Sequence, residues 1–531
     1  MVLLNKIRWV YLLSGIGLCA SAFKTSSEFL IDHRLARLNR LNGISPTSTS
    51  DDSQPNPLSA RQTTSFPSFN FTQPLDHFVD TGFTFNQRYF VNSRHYKPGG
   101  PVIVLDGGET SVTDRLPFLD TGIVDILANA TGGLGVILEH RYYVFSFYLT
   151  CLKRNLVSWL NNEQAAADSA NFMSHVKFDG ISQDLTAPNT PWIYYGGSYA
   201  GARSAHMKVL YPDIVFGAIA SSGVTEAVIS NWGYFDIIRR AAPANCSAQF
   251  ITAVKQVDEL LSKDAETNGK VKSFFGMQGL TLDADLTSFF VGPLGGWQNK
   301  NWDPAVNSNS FANTCAAMGN PSDAKIETFQ GLTVSNATWN LATIVNRTSN
   351  RCPKTSTADE CFGTLNDTDF QNTALSQTGR LWQFQVCTQW GFFDAPPPDS
   401  SIPSMVSKFV DVAYSSKICK QAYPPGEFFV VPPMPRVEEV NRLGGFNIAH
   451  DRLAIIDGEV DPWRFDCPHS FASPTKVRED TPLRPFKLIP NAVHHYDENG
   501  LADHSLEPQE IQAIHQQEIE FVKGWLAEFS K

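Results

Sequence analysis

The stretch WIYYGGSYAG, residues 192–201, joins an apolar run to a small-residue turn around one serine. Trp192–Tyr195 is a candidate buried strand, and a helix is predicted from about residue 200 to residue 210. A serine between such a strand and helix lies on a strained turn with its hydroxyl exposed, and small neighbours are needed because the two backbones almost touch. The stretch therefore predicts a nucleophile, Ser198. The alternative is a tight structural turn that contains a bystander serine.

Further short apolar runs on both sides of this stretch predict a mostly parallel sheet. Uniformly apolar strands with intervening helices are typical of a sheet covered on both faces. The runs are Pro101–Leu105, Gly135–Glu139, Gly217–Ser221, Leu453–Ile456 and Phe486–Ile489. An amphipathic helix carrying Ile511, Ile514, Phe521 and Trp525 follows them, and we expect it to pack on the sheet. These patterns predict an α/β fold.

Two turns after the last two predicted strands carry an acid and a histidine. The first turn reads DGEVDPW and the second reads NAVHHYD. The chain order serine, acid, histidine is that of the α/β-hydrolases. A serine hydroxyl becomes a good nucleophile only when an imidazole takes its proton, and that imidazole needs a carboxylate partner. From the residues alone, the acid stays open among Asp457, Asp461 and Asp466, and the base between His494 and His495.

The composition limits the class of protein, and the N-terminus indicates the cellular compartment. Of 531 residues, 42% are hydrophobic, which rules out disorder throughout, and the net charge of −11 argues against a nucleic-acid partner. Residues 1–22 combine Lys6 and Arg8 with an apolar run and an Ala-Ser-Ala site, the pattern of a secretory signal peptide cut after Ala22. The alternative is an uncleaved anchor. Because the apolar run is too short to span a bilayer, we expect no stable membrane anchor.

The number of cysteines and the number of N-glycosylation sequons are both consistent with an exported protein. Eight cysteines remain after the signal peptide, which allows up to four disulfides in an oxidising compartment, with free buried thiols as the alternative. Only Cys352 and Cys361 are close enough in sequence to suggest a pair. Six N-x-S/T sequons predict a glycoprotein, at Asn70, Asn129, Asn245, Asn336, Asn346 and Asn366.

The chain divides into five regions by composition and pattern. They are a signal peptide at 1–22, a flexible N-terminal segment or pro-segment at 23–65, the first part of an α/β-hydrolase domain at 66–225, an inserted helical cap at 226–440, and the second part of the hydrolase domain at 441–531. A short basic helix is predicted at 30–41. In the cap, helices are predicted at 248–262 and 323–329, and most of the cysteines suggest that disulfides brace it.

Seven short motifs occur in a fixed order along the chain: FTQPLDHF, FNQRYFVN, EHRYY, NNEQAAAD, GGSYAG, DGEVDPW and AVHHYD. This ordered set resembles the prolyl carboxypeptidase and dipeptidyl peptidase II family of serine peptidases, including its fungal secreted members. The resemblance implies an α/β-hydrolase fold with an inserted, mainly helical, disulfide-braced cap. It also implies Ser198 as the nucleophile, Asp461 as the acid, His494 as the base, and neither metal nor organic cofactor.

The oxyanion hole and three departures from the family pattern complete the site predictions. The backbone N–H of Tyr199 is the expected first donor, and Gly108, in the loop after Pro101–Leu105, is the expected second. Family members usually show G-N-E-G in that loop, whereas this chain reads GGET. Val144 follows EHRYY in place of the usual glycine, and Gln389 stands where an acidic residue is usual.

The resemblance implies hydrolysis of peptide bonds on the carboxyl side of proline in peptide or protein substrates. Trp463, beside the acid, is a candidate wall of the proline slot, with a core tryptophan as the alternative. Exopeptidase and endopeptidase modes both stay open. The rival interpretations are an esterase or lipase of the same fold and a secreted binding protein that has lost catalysis. We expect secretion, with a vacuolar or lysosomal lumen as the alternative, and a homodimer is one candidate assembly.

Overall fold

The structure is a computed structural model that describes residues 24–43, 65–143, 156–319, 326–372, 378–426, 429–471 and 478–529. Within these ranges, no helix is both long enough and apolar enough to cross a membrane. The expected signal peptide at 1–22 lies outside the described residues, as do residues 44–64, Val144 and Cys151.

Twelve strands are seen in the described part of the chain. They are β1 (Ser68–Pro74), β2 (Thr84–Asn92), β3 (Val102–Asp106), β4 (Leu134–Leu138), β5 (Trp192–Gly197), β6 (Gly217–Ser221), β7 (Val228–Ser230), β8 (Ile326–Phe329), β9 (Leu332–Ser335), β10 (Gly391–Phe393), β11 (Leu453–Gly458) and β12 (Phe486–Ile489).

The described helices surround the sheet or build the cap. They are α1 (Ser26–Leu41), α2 (Leu116–Asp120), α3 (Ile123–Thr131), α4 (Asn162–His175), α5 (Tyr199–Leu210), α6 (Trp232–Ala241), α7 (Ala244–Leu261), α8 (Ala265–Phe274), α9 (Asp283–Thr287), α10 (Gly292–Gly295), α11 (Ser310–Met318), α12 (Asn336–Ser349), α13 (Ala358–Phe362), α14 (Thr378–Gln385), α15 (Val412–Ala422), α16 (Val437–Asn441) and α17 (Gln509–Phe529).

Eight strands form one mixed sheet in the order β1-β2-β4-β3-β5-β6-β11-β12. The pairings β1–β2 and β2–β4 are antiparallel, and all others are parallel. Alternate residues of each buried strand enter separate cores: Ile193 packs in the core that contains α17, and Tyr194 in the core that contains α4. The predicted sheet covered on both faces is confirmed, and the architecture is that of an α/β-hydrolase.

The final helix covers one face of this sheet, as the sequence predicts. Four apolar residues of α17 are buried in the same core as Ile219 of β6, and Trp525 packs directly on Gly217. The four are Ile514, Phe521, Val522 and Trp525. The helix thus runs along this face, from His515 near the Asp497 carbonyl to Trp525 at the amino end of β6.

Three disulfides are seen in the described part of the cap. They join Cys246 to Cys315, Cys352 to Cys361 and Cys387 to Cys419, so the predicted Cys352–Cys361 pair is confirmed. Cys467 is buried and unpaired among the described residues. The disulfides tie α7 to α11, and the helical turn Val386–Trp390 that follows α14 to α15. They brace a cap whose helices are interrupted by many turns.

The N-terminal helix differs from the expected flexible segment. Over 26–41 the chain forms α1, which packs against α10, α13, α14 and α15 of the cap. Arg34 is 1% exposed and its guanidinium donates to Asp285 (2.9 Å) and Ser288 (2.7 Å). Because both partners are buried, this helix is an integral part of the cap.

A hairpin replaces the predicted helix at the end of the 323–329 segment. Ile326–Phe329 is β8, which pairs antiparallel with β9. Gln330 and Gly331 both have positive φ angles, 49° and 77°, as the tight turn of a two-residue hairpin requires. The predicted helix is wrong for 326–329, because Gln330 and Gly331 form a tight turn that lets this segment pair with β9.

The asparagines of the six sequons differ in solvent exposure. Asn70, Asn129, Asn245 and Asn366 are exposed, whereas Asn336 and Asn346 are half-buried. The side-chain nitrogen of Asn346 donates to the Phe274 carbonyl (3.2 Å). A glycan at Asn346 would be attached to the same nitrogen that makes this hydrogen bond within the cap.

Candidate active site

The turn after β5 holds Ser198 in a strained conformation, with φ 62° and ψ −124°. A side chain at Gly196 would collide with the Ala200 carbonyl, and a Cβ at Gly201 would lie 2.7 Å from the Ser221 carbonyl oxygen. Small residues therefore let strand and helix approach each other, as the sequence pattern requires. The strain lifts the Ser198 hydroxyl above the carboxyl end of the sheet.

Three side chains from distant turns meet in a line at this edge. The Oγ of Ser198 lies 2.7 Å from Nε2 of His494, and Nδ1 of His494 lies 2.8 Å from Oδ2 of Asp461. All three are buried. Burial lowers the pKa of His494 below its ordinary value, against the raising effect of Asp461. A neutral imidazole is thereby favoured, and it can accept the serine proton.

The other two candidate acids have different partners. Oδ2 of Asp457 lies 2.6 Å from Nδ1 of His469. Asp466 is buried, neither of its carboxyl oxygens has a hydrogen-bond partner among the described residues, and burial raises its pKa well above the ordinary value. Of the three, Asp461 is the acid that contacts His494.

The second histidine points elsewhere. His495 has a positive φ of 35°, and its N–H donates to Oγ of Ser222 (2.9 Å). Its Nδ1 lies 2.8 Å from a carboxylate oxygen of Glu498. Burial lowers the pKa of His495, but the adjacent Glu498 carboxylate outweighs burial and raises it overall. His495 thus pins the loop that carries His494.

The oxyanion loop differs from the expectation for Gly108. Its N–H donates to Oδ1 of Asp106 (2.9 Å), so it already has an acceptor. The next N–H, that of Glu109, has no acceptor on another residue in the described part of the chain. Tyr199 is the first residue of α5, so its N–H has no partner within the helix. The N–H of Tyr199 is therefore an available donor next to Ser198, whereas the N–H of Glu109 is close enough to its own carboxyl group to interact with it.

Asp106 connects this loop to the helix that follows the serine. Its Oδ2 accepts from Nε of Arg203 (2.7 Å) and from the hydroxyl of Tyr194 (2.6 Å). Both Asp106 and Arg203 are buried, and the guanidinium helps to hold the pKa of this carboxyl below its ordinary value despite burial. Nothing in the sequence motifs marks Asp106, because its role depends on partners 88 and 97 residues away.

The Glu109 side chain is an unusual neighbour for an oxyanion loop. It is 2% exposed, and neither carboxyl oxygen has a hydrogen-bond partner among the described residues. Burial raises its pKa to about 7, opposed by Arg115 and His495. A neutral carboxyl group is therefore favoured at acidic pH.

The cap places an aromatic cluster beside the nucleophile. The ring of Tyr199 lies 5.3 Å from that of Trp382 and 5.2 Å from that of Trp390, between ring centroids. Its hydroxyl accepts from Nε2 of Gln385 (2.7 Å) and lies 3.0 Å from Nε2 of His140. The cluster joins the cap to the sheet at the candidate site.

Trp463, the candidate wall of the proline slot, is fully buried in the core. It has no exposed surface, its Nε1 donates to Gln298 (2.8 Å), and its ring packs edge-on against Tyr234 and Phe392. The structure thus places Trp463 as a core residue between the cap and the turn that carries Asp461.

The glutamine at the usual acidic position has a clear physical reason. The side-chain nitrogen of Gln389 donates to both Glu163 (3.0 Å) and Glu439 (3.0 Å), and its oxygen accepts from the Asn162 N–H (2.9 Å). A third carboxylate here would face two others. The neutral amide satisfies both instead.

Several motifs that carry the family resemblance form one buried polar network. Asp168 accepts two bonds from Arg141 (2.6 and 2.8 Å), and its Oδ1 lies 2.7 Å from Nε2 of His77. Gln164 accepts from the His77 N–H (3.0 Å). These contacts fasten the β1–β2 hairpin to α4 and to the turn after β4, so the motifs hold the scaffold rather than the reacting groups.

Comparison with known proteins adds a family. The sequence model described as "Serine carboxypeptidase S28" matches residues 73–517. A "Probable extracellular serine carboxypeptidase" of Arthroderma benhamiae is 38% identical over 495 residues, covering 87% of this chain and 68% of that protein. The "Serine protease vicPa" of Bipolaris victoriae is 27% identical, covering 80% and 83%. The "Lysosomal Pro-X carboxypeptidase" of Pongo abelii is 26% identical, covering 86% and 88%.

Proposed function

Because this chain belongs to the serine carboxypeptidase S28 family, and so is a serine-type peptidase, we propose that it cleaves peptide bonds on the carboxyl side of proline. Ser198, His494 and Asp461 would act as nucleophile, base and acid. The single observation that carries this assignment is the hydrogen-bonded line from Ser198 through His494 to Asp461. We also propose an extracellular location, supported by the signal-like N-terminus and by the name of the Arthroderma relative.

The reaction would follow from the geometry of this line. Nε2 of His494 takes the Ser198 proton as Oγ attacks the carbonyl carbon, and Asp461 stabilises the imidazolium that forms. The free N–H of Tyr199 faces the oxygen that becomes negative. His494 then returns its proton to the leaving amine, and water releases the acyl group by the same steps in reverse. None of these reaction steps requires a metal or an organic cofactor.

Proline selectivity rests on two observations. The Pongo relative is named a Pro-X carboxypeptidase. The cap also places Trp382 and Trp390 against Tyr199, which is adjacent to the nucleophile. Aromatic rings form the apolar, rigid walls that a pyrrolidine ring needs. Trp382 is 3% exposed and Trp390 and Tyr199 are 0% exposed, so they are as buried as Trp463. We therefore propose that this cluster lies behind the proline slot and supports its wall.

Product analysis tests the proposal. We expect mass spectrometry of digests to show cleavage after proline in a peptide with one internal and one penultimate proline. Release of a single C-terminal residue would indicate a carboxypeptidase. Cleavage after the internal proline, which gives two shorter peptides, would indicate an endopeptidase. The matched control is the same peptide with alanine at both prolines. Hydrolysis of short-chain esters without cleavage after proline would contradict the proposal and favour an esterase.

The pH profile is expected to fall on the alkaline side because of Glu109. Around its raised pKa of about 7, this carboxyl group ionises next to the oxyanion loop. Its charge raises the pKa values of Tyr143 and Tyr199. Its own pKa is lowered by the nearby Arg115 and His495 and raised by Asp106. A negative charge there opposes the developing oxyanion, so kcat/KM should decline as pH rises through 7. On the acidic side, the lowered pKa of His494 keeps the base neutral below its ordinary titration range.

Glu109→Gln isolates this effect, because the amide cannot ionise. The ratio of kcat/KM at pH 8 to that at pH 6 should rise several-fold in the variant. Glu109→Asp, which keeps a carboxyl group, is the matched control and should retain the alkaline decline. An unchanged profile in Glu109→Gln would contradict the assignment.

A further inference from the structure

A cluster of two histidines and one glutamate lies outside the candidate active site, on the chain between β12 and the first turns of α17. The cluster consists of His504, Glu507 and His515, whose ligand atoms all lie within 4.8 Å of one another. Nδ1 of His504 lies 2.7 Å from one oxygen of Glu507, and Nδ1 of His515 lies 2.9 Å from the other. Two imidazoles thus hold one carboxylate between them.

The remaining nitrogen of His515 determines what the cluster can accept. Nε2 of His515 lies 2.9 Å from the Asp497 carbonyl oxygen, which can only accept a hydrogen bond, so this nitrogen carries a hydrogen. In the neutral ring, Nδ1 then presents a lone pair to Glu507, and the carboxylate offers only lone pairs in return. A cation must lie between them, either a proton or a metal ion. A backbone carbonyl that accepts the other ring N–H is also the usual way to orient a metal-binding histidine.

We propose that His504, Glu507 and His515 bind a divalent transition-metal ion of the Zn²⁺ class. Two imidazole nitrogens and one carboxylate oxygen are a ligand set that Zn²⁺ accepts, with water in the fourth position. The side chains of Glu507 and His515 are 0% and 5% exposed and are fixed, whereas that of His504 is 42% exposed. His504 can therefore turn to bring its nitrogen to the distance of about 2.0–2.1 Å that zinc requires.

The position of the site indicates a structural role. Glu507 also accepts from the Leu501 N–H (2.9 Å), and His515 lies on α17. Through the Asp497 carbonyl the site reaches the loop that carries His494, and the Asp497 side chain binds Ser221 and Tyr195 under the sheet edge. An ion here would fasten α17 to that loop. It would stabilise the fold without entering the reaction.

The test is metal binding by the untagged full chain. After dialysis against a chelator, titration with ZnCl₂ at pH 7.5 should show one ion per chain by calorimetry. Zn²⁺ at 100 times Kd should raise Tm by about 2 °C or more. Co²⁺ in place of Zn²⁺ should give the visible absorption of a low-coordinate nitrogen and oxygen site.

Variants decide whether the cluster is the site. His504→Ala, at a partly exposed position where folding should be retained, is expected to weaken Zn²⁺ binding about tenfold or more. His175→Gln, an exposed histidine on α4, is the matched control and should bind like the wild type. The proposal is overturned if the wild type binds no Zn²⁺ at millimolar concentration, or if His504→Ala binds it as tightly as the wild type does.

Discussion

Replacing Ser198 by alanine is expected to lower kcat for a proline peptide by about 10⁶-fold. The substitution removes the atom that lies 2.7 Å from Nε2 of His494 and that would form the acyl-enzyme. What remains would be the stabilisation of the transition state by the oxyanion donors and by substrate binding. A fluorophosphonate probe should label the wild type and leave Ser198→Ala unlabelled.

Ser204→Ala is the control for this experiment. Ser204 lies on α5, the helix that begins just after Ser198, and is buried; among the described residues its hydroxyl donates to the Tyr194 carbonyl alone (2.9 Å). We expect that variant to be labelled like the wild type. Equal labelling of Ser198→Ala would remove Ser198 as the nucleophile. An unlabelled wild type would instead favour the secreted binding protein that has lost catalysis.

Six of the eight strands of the sheet, β3–β6, β11 and β12, are predictable because they are short apolar runs, whereas β1 and β2, which contain polar residues, are not among the predicted strands. Gly217–Ser221 and Phe486–Ile489 are strands with the predicted bounds, and the other predicted strands are offset by one or two residues at their ends. Local pattern suffices here, since each strand's apolar run is bounded by turn residues. The order of serine, acid and histidine along the chain similarly follows from where the strands end.

The acid and the oxyanion donor could not be chosen from local pattern. Asp457 and Asp461 lie in one turn, and only their partners, His469 and His494, separate them. Gly108 lies in the expected loop, but its N–H already donates a hydrogen bond to the Asp106 carboxylate. In each instance the deciding hydrogen bond depends on side-chain direction within a tight turn, which residue spacing does not specify.

The helix predicted at 30–41 is confirmed as part of α1, but its place within the cap could not be predicted from local pattern. Arg34 pairs with Asp285 across 251 residues of sequence. A buried arginine is stable only with such a partner, and a sequence pattern does not reveal pairs so far apart.

Asp461→Asn is expected to lower kcat by about 10⁴-fold while the fold is retained. The asparagine oxygen can still accept the Trp463 N–H, as Oδ1 does now (3.0 Å), so the turn keeps its shape. Its NH₂ group, however, would donate to Nδ1 of His494. The hydrogen of the neutral ring then moves to Nε2, which faces Ser198 and can no longer take its proton.

Asp457→Asn is the matched control, because it makes the same chemical change four residues away. Asp457 binds His469 and does not contact His494, so we expect kcat within about tenfold of the wild type. Steady-state kinetics on one proline peptide, with Tm measured for both variants, separates loss of catalysis from loss of folding. A larger loss of kcat in Asp457→Asn than in Asp461→Asn, at equal Tm, would move the acid to Asp457. That result would also mean that the hydrogen bond between His494 and Asp461 does not set the orientation of the base.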